Sequence, residues 1–159
     1  MKKTVIVLLL LFTGLKSFSQ NIYSTNEFKI SFESSEILEK YPTESKNVLG
    51  FENDNIAIDI EIIPIEQESK KFKKNIKRGA KEIAKDFGLR GVKNGGYLKN
   101  INHGYFVKGY GIDNGKKYSI FIIAILNYDL GLAYEISIDC YNLSQSESMN
   151  IIDSFRIIK

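Results

Sequence analysis

The sequence predicts an α+β fold, an antiparallel β-sheet meander with one long and one short helix packed on it. Three observations lead there. Several short segments alternate apolar with polar residues, as half-buried strands do. One stretch, Ser69 to Phe87, switches to helical spacing. The strands after it are joined by tight turn signals. The strongest is Asp113-Asn114-Gly115, because Asn-Gly tolerates the positive φ angles of a two-residue hairpin. Strands bunched after a helix point to α+β and away from a doubly wound parallel sheet.

The elements follow in order. Residues 20–27 are polar and read as a flexible, frayed N-terminus. Phe28-Lys29-Ile30-Ser31-Phe32 alternates strictly and reads as a strand. Ser35 can cap a single helical turn through Ile37 and Leu38, ended by Pro42. Val48 to Phe51 reads as a brief strand. Ile56 to Ile65 is a clear one, with Ile56, Ile58, Ile60 and Ile62 on one face and Asp59 and Glu61 on the other. Pro64 marks a strand end or a sheet edge there. In the long helix Phe72, Ile76, Gly79, Ala80, Ile83 and Phe87 form one stripe, and Gly88 supplies the C-terminal cap. Gly91 to Gly96 reads as a flexible loop. Strands are then expected at Tyr97 to Ile101, Tyr105 to Ile112, Lys117 to Asn127 and Leu132 to Tyr141. Lys117 to Asn127 is apolar on both faces and belongs in the middle of the sheet. Ser144 to Ser154 reads as the short helix, and Phe155 to Ile158 as a terminal strand.

Residues 1–19 have the order of a secretory signal peptide: Met1-Lys2-Lys3, an apolar run from Thr4 to Leu15 centred on residues 5–12, then Ser17-Phe18-Ser19. The run is shorter than the roughly 20 residues a membrane span takes. Cleavage after Ser19 leaves the lead-in and a single domain over residues 28–159. The precursor carries 22 Lys+Arg against 19 Asp+Glu, a net charge of +3. Lys2, Lys3 and Lys16 lie in the leader, which holds no acid, so the remainder is neutral. It has no global field to attract nucleic acid. The one cysteine, Cys140, excludes an internal disulfide, and no cysteine stands at the cleavage site to carry a lipid. No later stretch has the length and charge-free character of a membrane helix. The expected location is periplasmic or secreted.

Three features share a wider pattern. The Phe28–Phe32 strand precedes a Pro-containing segment. The long helix precedes a loop ending in Asn100-Ile101-Asn102-His103-Gly104-Tyr105. A short helix runs into Asp153-Ser154-Phe155-Arg156-Ile157. In these the chain resembles the PsbP-like group over about residues 26–158; that group includes DcrB-like exported bacterial domains and a Ran-binding nuclear-transport factor. It departs from the group in having no tryptophan. The resemblance implies a PsbP-like sandwich and a binding or assembly role, with no shared catalytic motif.

Catalysis needs convergent nucleophiles, bases or metal ligands, and the sequence offers few. His103 sits in an Asn-His-Gly turn, where polar residues are expected regardless of function. Cys140 shares the Ile136/Ile138 face and reads as a small core hydrophobe, with a reactive thiol or an intermolecular disulfide as the other readings. Asp59 and Glu61 can hold a hard cation, act as an acid/base pair, or simply face solvent. With one His and one Cys, no metal or cofactor is expected. Lys70, Lys74, Lys77, Lys81 and Lys85 fall within an arc of about 80°, opposite the Phe72/Ile76/Ile83 stripe. That ridge suits an anionic partner and also reads as an ordinary solvated face. The tyrosines between Tyr97 and Tyr141 can form a sugar- or protein-binding platform, or merely suit pleated strands.

The expectation is an exported, non-enzymatic binding protein that meets an unknown protein or an anionic envelope component through the lysine ridge. Two alternatives remain. A small secreted hydrolase using Asp59 and Glu61 requires a concave pocket around them. A structural subunit of an envelope complex requires an exposed apolar strip along a sheet edge.

Overall fold

The structure is a computed structural model that describes residues 20–68 and 70–158. The signal-peptide segment lies outside the described residues. All strand pairings are antiparallel and form two sheets. The smaller sheet has the order β1–β2–β10, from Asn21–Thr25, Ile30–Ser34 and Arg156–Ile157. The larger has the order β3–β4–β5–β9–β8–β7–β6. Its strands are β3 (Glu39–Tyr41), β4 (Val48–Glu52), β5 (Ile56–Pro64), β6 (Arg90–Tyr97), β7 (Gly104–Asp113), β8 (Lys116–Asn127) and β9 (Leu132–Cys140). The helices are α1 (Lys70–Lys74), α2 (Ile76–Asp86) and α3 (Gln145–Ser154). This is the expected α+β architecture. No helix among the described residues is long and apolar enough to cross a membrane.

Alternation along the strands gives the large sheet two apolar faces. On the inner face Ile58, Ile60, Phe121, Ile123, Ile136 and Ile138 meet the small sheet and α3, which bring Ile30, Phe32, Ile151, Ile152 and Phe155. Phe32 joins the layers: its ring stacks on Tyr23 and Phe155 at 5.1 and 5.2 Å and meets Phe51 edge-on at 5.5 Å. On the outer face Phe72, Ala80, Ile83 and Ala84 of the helices cover Tyr105 and Val107 of β7 and Ile120, Ile122 and Ala124 of β8.

Local signals explain the ends of the elements. Asn114 and Gly115 take φ of 48° and 78°, and Asp113 pairs with Lys116, so the Asn-Gly turn forms the tight hairpin. β8 lies inside the sheet, as its two apolar faces require. Ser144 and Glu147 cap α3 reciprocally. Gly88, at φ 69°, ends α2: its amide donates to the Lys85 carbonyl and that of Leu89 to the Ala84 carbonyl.

Several expectations are corrected. The polar stretch 20–27 carries β1, because an edge strand needs backbone partners more than apolar side chains, and Tyr23 anchors it on Phe32. The following strand starts at Ile30, since Lys29 has φ 51° and belongs to the turn. No helical turn forms at Ile37 and Leu38. The Ser34 and Tyr23 hydroxyls accept the amides of Glu36 and Leu38 at 3.0 and 2.7 Å, and the chain continues into β3. Tyr97 to Ile101 is strand only at Tyr97, and Leu98 and Ile101 are buried in the loop beyond it.

The single long helix is two helices. Asn75 has extended φ and ψ of −152° and 93°, and its side chain accepts the Arg78 amide at 3.1 Å as the cap of α2. The Phe72 ring folds over Gly79, where a Cβ would lie 2.1 Å from it. Phe87, expected on the buried stripe, is 55% exposed beyond the end of α2. The glycine-rich stretch from Gly91 to Gly96 is the edge strand β6. The Phe106 ring crosses from β7 over Gly95, where a Cβ would lie 2.2 Å from it. Register shifts between Arg90 and Lys93, and between Asn94 and Gly96, break the regularity of this free edge, which protects it against pairing with other chains.

Tyr134 is fully buried, and its hydroxyl has no hydrogen-bond partner among the described residues. Burial pushes its phenol up to about 12. Tyr134→Phe removes an unpaired polar group at nearly constant volume. It is expected to raise the free energy of unfolding by about 1 kcal/mol in urea titration.

Candidate functional site

The helices cover only part of the outer face of the large sheet. α2 packs over β7 and β8, and Ala133 is the one β9 residue in that cluster. Beyond Ala133 the same face changes character. Register places Glu61 beside Glu135, Asp59 beside Ser137 and Ala57 beside Asp139. Four carboxylates from two adjacent strands, Asp59, Glu61, Glu135 and Asp139, thus share one half-buried face. Directly opposed like charges destabilise a sheet, as at Glu61 and Glu135.

Tyrosines frame this row. Tyr41 of β3 lies across Gly50 of β4, where a Cβ would meet its ring at 2.3 Å. The glycine lets the phenol reach over β4 and donate its hydroxyl to Asp59 of β5. Burial first, then that hydrogen bond, raises the Tyr41 phenol well above its ordinary range. Tyr118 and Tyr141 meet at 5.0 Å on the other side of Asp139. Both phenols are raised, by burial first and then by the Asp139 charge. Tyr118 lies over Gly111 in the same way, at 2.5 Å from a Cβ built there.

The carboxylates respond to this crowding. Burial, then the charges of Glu68, Glu61 and Asp86, push Glu135 up to about 7. Burial, then Asp59, pushes Asp139 up to about 6. The face therefore gains negative charge across the neutral range. Among the described residues no group of three or more His, Cys, Asp or Glu is placed to hold a metal ion. Neither Asp59 nor Glu61 lines any of the four clefts described.

The break at Asn75 redistributes the lysine ridge. Lys70 and Lys74 are exposed on α1, and Lys81 and Lys85 are exposed on α2. Lys77 leaves the ridge: it is half-buried on the flank of α2, its Nζ 5.9 Å from the centre of the Tyr105 ring. Arg78 is tied to Glu82 at 3.2 Å. The sequence pattern aligns the five lysines on one continuous helix, and the structure divides them between two.

No protein-family model matches the chain, and no curated protein matches it. Solved structures do match. The Saccharomyces cerevisiae Ran-binding protein Mog1p aligns with a TM-score of 0.59 at 9% identity, over 90% of this chain and 97% of Mog1p. The fold is similar to that of Mog1p. A Mog1 mutant gives 0.58 at the same identity. A Bacteroides thetaiotaomicron protein gives 0.53 at 12% identity, over 87% of this chain and 48% of that one. At these identities the likeness to Mog1p is one of fold.

The remaining candidates fall away from the carboxylate face. His103 is exposed in its turn, edge-on to Tyr128 at 5.3 Å. Cys140 is buried, with the Ser148 hydroxyl donating to its Sγ at 3.3 Å; burial chiefly pushes its thiol up, away from reactivity. Sequence reasoning missed Glu135. Its signal was the alternation of Glu135, Ser137 and Asp139 with Ile136 and Ile138, which matches that of β5.

Proposed function

We propose that the protein is an exported, non-enzymatic binding protein of the PsbP-like group that docks a basic segment of a partner protein on the open half of its large sheet. One observation carries this reading: the half-face left uncovered by α2 presents a row of four carboxylates bordered by Tyr41, Tyr118 and Tyr141. Tyrosines supply broad contact area at small entropic cost, and carboxylates select a cationic partner. The Ran-binding activity named for Mog1p supports a protein partner for this architecture. The order of residues 1–19 supports export.

Titrating residues 20–159 with a lysine- and arginine-rich peptide tests the proposal. Binding should weaken with salt and fall about tenfold or more in Asp59→Asn plus Asp139→Asn. Unchanged affinity in that variant overturns it. The lysine helices carry a second reading, favoured by the exposure of Lys70, Lys74, Lys81 and Lys85 without an ion pair among the described residues. In that case anionic vesicles bind in a salt-dependent manner, and Lys74→Glu plus Lys81→Glu abolishes the binding.

A further inference from the structure

On the inner face, where β6, β7 and β8 run beyond the cover of the small sheet, lies a groove of about 460 Å³. Lys93, Lys108 and Lys117 line it, one from each strand, together with Ser119 and Gln145. Lys93 and Lys108 are direct cross-strand partners. An opposed pair of like charges lowers sheet stability, and nothing on these strands relieves it. Their only acid, Asp113, sits at the hairpin turn, and no described ion pair includes any of the three lysines.

Aromatic rings hold two of the ammonium groups in place without neutralising them. Lys108 Nζ lies 5.2 Å from the centre of the Phe121 ring, and Lys117 Nζ lies 4.7 Å from that of Tyr110. Gly91 clears the rim, since a Cβ there would meet the Tyr110 ring at 2.7 Å. The result is a concavity with three cations, a hydroxyl and an amide, in the size range of small-ligand sites.

We propose that this groove binds a compact multivalent oxyanion, a phosphate or sulfate group carried on a small molecule or a lipid headgroup. Lysine is a point-charge binder suited to such groups, and convergence in a concavity concentrates its field on one compact ligand. An extended acidic peptide needs charges spread along a line, whereas all three lysines here line one groove. The three lysines lie on the opposite face of the sheet from the carboxylate row, although Tyr118, which borders that row, also lines the groove. The proposal rests on the lysines and stands independently of the partner reading above.

Calorimetric titration of residues 20–159 with inorganic pyrophosphate at low salt tests it. Saturable binding is expected, about tenfold weaker in Lys108→Gln and in Lys93→Gln plus Lys117→Gln, the loss of charge-assisted contacts. The second variant alters exposed side chains only, so it remains informative if Lys108→Gln fails to fold. Lys46→Gln, in the exposed turn before β4, should leave binding unchanged. Phosphatidic acid vesicles distinguish the sources: vesicle binding with the same dependence on the groove lysines assigns the ligand to a headgroup, and pyrophosphate binding alone assigns it to a soluble molecule. Non-saturating heats, equal binding of acetate, tighter binding of a glutamate-rich peptide, or indifference to the groove variants overturns the proposal.

Discussion

Phe32→Ala is expected to lower the free energy of unfolding by about 4 kcal/mol. The residue is 1% exposed and touches three other aromatic rings: Tyr23 of β1, Phe51 of β4 and Phe155 just before β10. Truncation leaves a cavity among groups that cannot collapse together, because Tyr23 and Phe51 are fixed to two different strands and Phe155 to the end of α3. The measurement is a urea midpoint with an unchanged slope. Loss of the folded state altogether would agree, and Phe32→Leu then gives the graded version, near 1 kcal/mol. A shift of only a few tenths in Phe32→Ala would show that the small sheet packs on the large one without this ring.

Glu135→Gln is expected to stabilise the protein by about 2 kcal/mol at pH 8 and to leave it unchanged at pH 4, with the difference opening between them. The sign follows from the direction of the shift. The folded state holds the proton of Glu135 up to about pH 7, whereas the unfolded chain releases it near 4.5. Between those values the native state binds more protons, so wild-type stability falls as pH rises through that window. Asp139, raised to about 6, contributes in the same sense and keeps some slope in the variant. Denaturation of both proteins at several pH values gives the result. A difference that does not vary with pH would eliminate burial of the Glu135 charge as its cause. Over the same window the wild-type sheet face becomes more negative, so affinity for a basic peptide should rise while stability falls.

Much of the fold was legible because its signals are local. The alternation of Ile56, Ile58 and Ile60 sets the inner face of β5 from within nine residues. Asn114-Gly115 and the Ser144/Glu147 cap each act within a few positions. What stayed hidden depends on distant partners. Asn75 breaks the helix amid good helix formers, and only the seating of Phe72 on Gly79 shows why the chain folds back there. The glycines of β6 look like a loop until the ring of Phe106 supplies the bulk that Gly95 lacks. With that strand read as a loop, Lys93 had no register with Lys108, and the basic groove was invisible. The carboxylate face was half visible: Asp59 and Glu61 stood out on one strand, while Glu135 acquires its meaning only when β9 pairs with β5.

The small sheet has a temporal consequence. Its middle strand, β2, is flanked on one side by β1, close by in sequence, and on the other by β10, the last strand described. Ser154 Oγ also accepts the amide of Glu33 at 2.8 Å. The aromatic cluster around Phe32 therefore stays unfinished until residues 154–157 have left the ribosome, however early Phe32 itself emerges. Contacts of such long sequence separation are slow to form and give little stability to a partial chain. A nascent chain that cannot seal this cluster until residues 154–157 have been made stays pliable there until then, however much of the large sheet has already formed.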